Sequence, residues 1–578
     1  MASQITTTHE QTADLPVIIA YLKQMRVAEL LDKHFPTNGN WSGLSLGEVT
    51  VVWLTFIISE SNHRLSHVEP WVRANQWTLR RCLGKPVEPH DGNDDRLATV
   101  LDYLSVDERW IAFECELNAT VLRVYDLKGR LARVDTTTAP ACVSPEGFFQ
   151  LGHSKDHRPD LPQGKMAMSV LDPLGFPLTT TVVAGNRADD PLYVPEIAKV
   201  RAIAGMTGLT YVGDSKMAAF GTRVEIVAHG DYSLCPLSAK QVSEAELDHL
   251  LALVFDGTQP TMDLRLPNGE GRIDATDEPV ALGFEQTIEQ KGPDQTGKEH
   301  RWQERRLVGR SFAFAESQEK HLRQRVSRVI TEINALDARK QGKKTLPDEA
   351  AAQAAVSDIL DRHRVAGLVT VTITTETTEH TKRRYGARPT TTVVATRVRV
   401  RAAPDAGAIT EATRRLGWRV YATNHPAAER RLEHAVAAYR AQYVIEQGFG
   451  RLKGHALSLT PLSLQYEHRI VGLIYLLTIA LRLLVLIQFV VRRNLAQEQT
   501  TLKGISPGQP GRQTQRPTTE MMLRAFQHVT LSHITINGEI HEHITPLDEG
   551  QKRLLTLMEI PDEIYSVLVS NSIELTGA

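Results

Sequence analysis

Apolar residues recur at helical spacing through the first fifth of the chain. DLPVIIAYLKQMRVAELLDKHF, LSLGEVTVVWLTFIISE and RLATVLDYLSVDERWIAFECELNATVLRVY each carry the i, i+3, i+4 pattern of an amphipathic helix. Pro36, Gly39, Pro86, Pro89 and Gly92 punctuate them. From Gly129 the period changes. RLARVDTTT is a short β-rich run, and GKMAMSVLDPLGFPLTTTVVAGN reads as a hairpin with Asp172, Pro173 and Gly175 in its turn. A helix, VPEIAKVRAIAG, and a buried strand, LTYVGDSKM, follow. Strand, hairpin, helix, strand is the opening of a mixed α/β sheet.

From about Cys235 to Pro404 the pattern shifts again. A charged helix (SQEKHLRQRVSRVITEINALDARK), a Lys-rich linker (KQGKKTLPDEAAAQ) and two Thr/Val-rich runs (GLVTVTITTET, TTTVVATRVRVRA) read as a large insertion. The sheet theme returns in GWRVYATN, where Trp418 is read as core. One long helix, AAERRLEHAVAAYRAQYVIEQGFGRLKG, comes next. Ile470 to Val491 is long and apolar enough to cross a bilayer, but Arg482 in its middle favours a buried core helix. A polar linker from Gln497 leads to a small α/β tail, in which the run from His541 to His543 is read as surface.

The predicted organisation is therefore a helical domain over 1–128, for DNA binding or dimerisation. An α/β domain is predicted in two parts, 129–234 and 405–496. The insertion at 235–404 and the tail at 497–578 complete it.

Composition changes this picture little. Hydrophobic residues make up 42% and charged residues 23% of the 578, with a net charge of -2. Near-neutrality argues mildly against nucleic acid, yet Arg and Lys exceed Asp and Glu between Arg414 and Arg516, enough for a local basic face. The four cysteines form no Cys-x-x-Cys spacing, which fits a reducing cytosol and neither a zinc ribbon nor a disulfide framework. The first residues lack the basic and apolar regions of a secretion signal.

The candidate chemistry rests on three acids. Asp135 and Asp214 stand at strand ends, where sites form in α/β folds. An Asp in either place is also a common turn or cap residue. Glu446 lies on the long helix, where Tyr439, Glu446 and Lys453 are spaced by seven and share a face. A solvated face with ordinary charge pairs is the plainer alternative.

These motifs resemble bacterial insertion-sequence transposases of the DDE type, whose catalytic domain is ribonuclease-H-like. VDTTT resembles the context of the first acid and YVGDSKM that of the second. The Tyr, Arg, Glu, Lys helix signature of that group is matched in spacing by Tyr439, Gln442, Glu446 and Lys453, with Gln442 in place of Arg. FFQLGHSKDHRPDLPQGKM resembles the loop and hairpin that follow the first acid in one subgroup.

The resemblance implies an α/β fold: a ribonuclease-H-like mixed sheet with a large β-containing insertion and an N-terminal helical domain. It implies Asp135, Asp214 and Glu446 as ligands for two Mg²⁺ (or Mn²⁺) ions, with Asp135 bridging them. Tyr439, Gln442 and Lys453 would bind phosphate, with Arg440 and Arg451 as further candidates. Lys155, His157 and Arg158 of the GHSKDHRPD loop are expected to contact DNA, in preference to a zinc site at His153 and His157. The implied activity is binding of terminal inverted repeats, then cleavage and strand transfer, by a cytoplasmic, nucleoid-associated homodimer on double-stranded DNA. The competing readings are a catalytically inactive DNA-binding regulator and a ribonuclease-H-like nuclease without strand transfer.

Overall fold

The structure is a computed structural model that describes residues 5–266, 277–338, 346–382, 391–460, 462, 464, 466–505, 508–509, 511–536 and 539–569. The GKK stretch of the expected Lys-rich linker lies outside these residues. The chain forms two compact units. One comprises Met1–Cys235, Gln290–Trp302 and Ala438–Ala578; the other comprises Pro236–Glu289 and Gln303–Ala437.

Within the first unit five strands lie side by side in a mixed sheet. The strand Leu131–Pro140 sits at its middle. On one side it pairs antiparallel with Gln163–Leu171, which pairs antiparallel with Phe176–Ala184. On the other side it pairs parallel with Thr210–Val212, which pairs parallel with Tyr232–Pro236. The Gln163–Leu171 strand is buried along its length, including the polar side chains of Gln163, Lys165 and Ser169. A turn over 172–175 closes the expected hairpin, with Gly175 at φ +72°. This is the ribonuclease-H-like arrangement: three antiparallel strands extended by two parallel ones.

Helices Leu15–Gln24, Leu46–Glu60, Asp94–Leu104 and Asp107–Val124 form the N-terminal helical part. They share their core with one long helix, Glu467–Gln497. That helix is apolar around its whole circumference, so it is buried on all sides. It is the only described helix long and apolar enough to cross a membrane, and 94% of its apolar window is buried inside the protein. Gly472 marks its crossing with the Asp94–Leu104 helix: a Cβ there would stand 2.3 Å from the Leu101 carbonyl oxygen. Arg482 is fully buried in it. Its guanidinium meets the Glu114 carboxylate, with Nε on Asn118 Oδ1 at 3.0 Å and Nη1 on Thr478 Oγ1 at 3.0 Å. Glu114 in turn accepts from the Thr180 backbone N–H at 3.2 Å, which ties the network to the sheet.

Segments from near both termini meet in a three-stranded sheet. Ile5–Glu10 pairs with Leu531–Ile536, which pairs with Glu539–Ile544. The 541–543 run, read as surface, lies on a strand whose Glu542 is buried against Arg81. An inward carboxylate with a cation partner is the reason for the difference.

The second unit carries its own core. Leu322, Val326, Val329 and Ile333 of the helix Phe312–Asn334 pack with Val356 and Ile359 of the helix Glu349–His363. These close over one face of the antiparallel pair Val369–Lys382 and Thr391–Pro404, through Val369, Val398 and Val400. Trp418 packs with Val308, Phe284 and Leu251, in the core role expected of it.

Candidate active site

Asp135 lies on the central strand. The parallel pairing matches Leu131 to Thr210, Ala132 to Tyr211 and Arg133 to Val212. The same offset carried two residues further sets Asp135 opposite Asp214. Neighbouring strands lie about 4.8 Å apart, and Asp214 follows the end of its strand closely enough for its charge to act on Asp135. Each raises the pKa of Tyr193 by its charge, and the charge of Asp214 also raises that of Asp135.

Asp214 is held by a local turn. Its Oδ1 accepts from Lys216 N at 2.8 Å, Met217 N at 3.3 Å and the Tyr193 hydroxyl at 2.6 Å. All three donors fall on one oxygen; Oδ2 has no protein donor among the described residues. Tyr193 belongs to the helix Asp190–Ala204 and is buried. Burial, then the Asp214 charge, pushes its phenol well above the ordinary tyrosine value, so it stays a donor. Nothing in the sequence pattern had singled out Tyr193. The clue was a tyrosine at the start of the helix that leads into the second acid's strand.

Asp135 Oδ1 accepts from its neighbour Thr136 N at 2.7 Å and from Lys155 Nζ at 3.2 Å. Oδ2 faces Gln442 Nε2 at 3.5 Å, a long contact. Burial raises the Asp135 pKa, and the Lys155 ammonium only partly offsets this. A cation beside the carboxylate therefore favours its ionised form.

The long helix expected around Glu446 is in fact two, Leu432–Arg440 and Tyr443–Lys453. The reason is Arg133. Its fully buried guanidinium bonds Asp172 Oδ1 through Nε at 2.6 Å and the Ala438 carbonyl through Nη2 at 2.6 Å. A continuous helix would give that carbonyl to Gln442 N. Gln442 N instead donates to the nearer carbonyl of Tyr439 at 3.2 Å, and Val444 N and Ile445 N also bond three residues back. Tyr439 thus stands on the first helix, while Glu446 and Lys453 stand on the second.

The second helix is anchored at both ends to the Asp135 strand. Gln442, at its start, reaches Asp135. Lys453, at its end, donates to Thr137 Oγ1 at 3.0 Å and pairs with Asp156. Positions 442, 446 and 453 fall within about 40° around a helix, so Glu446 lies on the face whose ends both touch that strand. Gly448 allows the close approach: a Cβ there would meet Met168 at 3.3 Å.

Glu446 itself is exposed. Among the described residues no three His, Cys, Asp or Glu side chains stand close enough to hold a metal ion. The structure brings Asp135, Asp214, Gln442, Lys155 and Lys453 together and leaves Glu446 one turn, about 6 Å, along the helix from Gln442. The donor set nevertheless suits a hard divalent cation: a half-buried carboxylate already drawing an ammonium, and a second with one oxygen free of donors among the described residues. Gln442 Oε1 adds a buried acceptor with no partner among those residues.

The loop over 152–161 divides by side. Lys155 and Asp156 turn inward, to Asp135 and Lys453. His157 and Arg158 are exposed, and Arg158 pairs with Asp160 at 2.8 Å. Of the other basic candidates, Arg440 is exposed and Arg451 is taken by Glu520 and Gln488.

Two family models match the chain. One, described as a transposase DDE domain, covers residues 127–483. The other, described as a domain of unknown function (DUF4277), covers residues 7–113. No curated protein matches. Among solved structures the chain matches a cryo-EM structure of piggyBac transposase in a synaptic complex with hairpin DNA. The identity is 10% and the TM-score 0.23, over 49% of this chain and 57% of that one. The chain thus aligns to little more than half the length of that protein.

Proposed function

The chain belongs to the transposase DDE-domain family, and from that premise we propose that it cuts and rejoins double-stranded DNA at the terminal inverted repeats of its own element. Asp135, Asp214 and Glu446 would hold two Mg²⁺ or Mn²⁺ ions. The observation that supports this reading is the parallel pairing of the Asp135 strand with the strand that leads into Asp214, with Glu446 on a helix whose two ends contact the Asp135 strand.

When bound, such ions activate an attacking oxygen and stabilise the leaving one. The chain's own residues do the rest. Tyr193 and the turn amides of Lys216 and Met217 fix one oxygen of Asp214, and so aim the other. Thr136 N does the same for Asp135. Lys453 presents an ammonium beside the strand, where it can hold a phosphate. Tyr439 and Gln442 complete that grip, and Gln442 contributes hydrogen bonds without charge. The exposed His157 and Arg158 contact the DNA backbone. A homodimer would bring two ends together.

The test is a cleavage assay on duplexes carrying the sequences that flank the gene, with Mg²⁺ or Mn²⁺. Asp135→Ala, Asp214→Ala and Glu446→Ala should each abolish cleavage and leave duplex binding intact. Full cleavage by Asp214→Ala would sink the triad. Cleavage without joined products would instead identify a nuclease, and binding without cleavage in the native protein a regulator.

A further inference from the structure

Two consecutive loop residues place opposite charges on the two groups that the proposed function loads. Lys155 Nζ bonds Asp135 Oδ1 at 3.2 Å and both the carbonyl and the hydroxyl of Thr136 at 2.6 Å. Asp156 pairs with Lys453, and its other oxygen accepts from Thr138 Oγ1 at 3.2 Å. The loop is pinned at the same spot: Lys155 N donates to that same Thr138 hydroxyl at 3.2 Å. The next residue, His157, turns the chain away at φ +57°.

Resting on the reading of Asp135 as a metal ligand and Lys453 as a phosphate ligand, we propose that Lys155 and Asp156 are an internal stand-in for the cation and the phosphate. The Lys155 ammonium occupies Asp135 Oδ1 in place of a divalent ion. The Asp156 carboxylate occupies Lys453 in place of a phosphate oxygen. Loading the site displaces both, because an ammonium and a divalent ion a few ångströms apart repel. Both side chains are partly exposed, so each has a route outward. The pair keeps the buried charges matched while the site waits, and it makes each ligand compete with a tethered mimic.

The experiment measures Mn²⁺ binding to the full chain by calorimetry, without DNA. Lys155→Met removes the competitor and should lower the Mn²⁺ Kd about tenfold. Lys155→Gln, which keeps polar contact with Thr136 but no charge, should do the same. Lys128→Met, an equal change in net charge at an exposed lysine outside the loop, should leave the Kd unchanged. In parallel, Asp156→Asn should tighten binding of a random-sequence 20-base-pair duplex more than Glu549→Gln, an equal change in charge at an exposed acid, does. An unchanged or weaker Mn²⁺ Kd in both Lys155 variants overturns the proposal. Asp214→Asn separates the two ideas. If it binds Mn²⁺ like the native chain, the metal-site reading itself has failed. If it loses Mn²⁺ while the Lys155 variants do not tighten, only the stand-in has failed.

Discussion

The first unit contains two clusters of buried charge that differ in one respect. Around Arg482, each guanidinium nitrogen has a partner: Glu114, Asn118 and Thr478. The second oxygen of Glu114 accepts from Thr180 N. The cluster is closed. Around Asp135 the pairing is incomplete. Asp214 Oδ2 and Gln442 Oε1 have no donor among the described residues, Glu446 faces solvent, and a lysine from a loop neutralises the central acid. A closed cluster specifies packing; an open one keeps free ligands for something that arrives later. Both contain acids with pKa values raised by burial. Perturbation alone would not separate them, and completeness of partners does.

The largest effect should come from the open cluster, in activity. Asp214→Asn should lower DNA cleavage at least about a thousandfold, roughly 4 kcal/mol, while thermal unfolding stays near that of the native chain. A large drop in melting temperature would put Asp214 in the closed class. Next, Glu114→Gln should destabilise the first unit by about 3–5 kcal/mol in thermal unfolding, because Arg482 keeps its charge and loses its partner. Cleavage per folded molecule should not change.

A buried acid outside both clusters sharpens the contrast. Burial pushes the Asp14 carboxyl up to about 6 from 3.8, with the Ser59 hydroxyl opposing it. A raised folded pKa gives stability that is present below about pH 4 and lost as pH rises through 6. Asp14→Asn should therefore raise stability by up to about 3 kcal/mol at pH 8 and by little at pH 4, read as the difference in melting temperature. Smallest of all, Tyr193→Phe should cost about tenfold in cleavage, since it removes one of three donors to Asp214 Oδ1.

What the sequence made legible follows the range of the causes. The hairpin turn at 172–175, the core character of the Glu467–Gln497 helix and the place of Asp214 just past its strand all depend on local period and turn chemistry. Asp135, expected at a strand end, lies mid-strand instead, because its pairing with Gln163–Leu171 carries the strand on to Pro140. The break before Gln442 is not local either. It is caused by Arg133, whose bond to Ala438 spans 305 residues. Glu542 is inward because of Arg81, 461 residues away. Lys155 read as a basic loop residue bound for DNA, because no pattern reveals that its loop folds back over Asp135. Arg482 was the partial exception: its charge inside an apolar run announced a partner without saying which.

The pairing of early with late segments has a consequence in time. Arg482 and Glu114 are 368 residues apart, and His9 and its strand partner Ser532 are 523 apart. At ribosomal speeds of roughly 5–20 residues per second, the first of these intervals takes about 20–70 s. Throughout it, the N-terminal helices wait with the surface meant for the Glu467–Gln497 helix uncovered. The corner around Asp135, which needs residues 442–453, is finished only shortly before that wait ends.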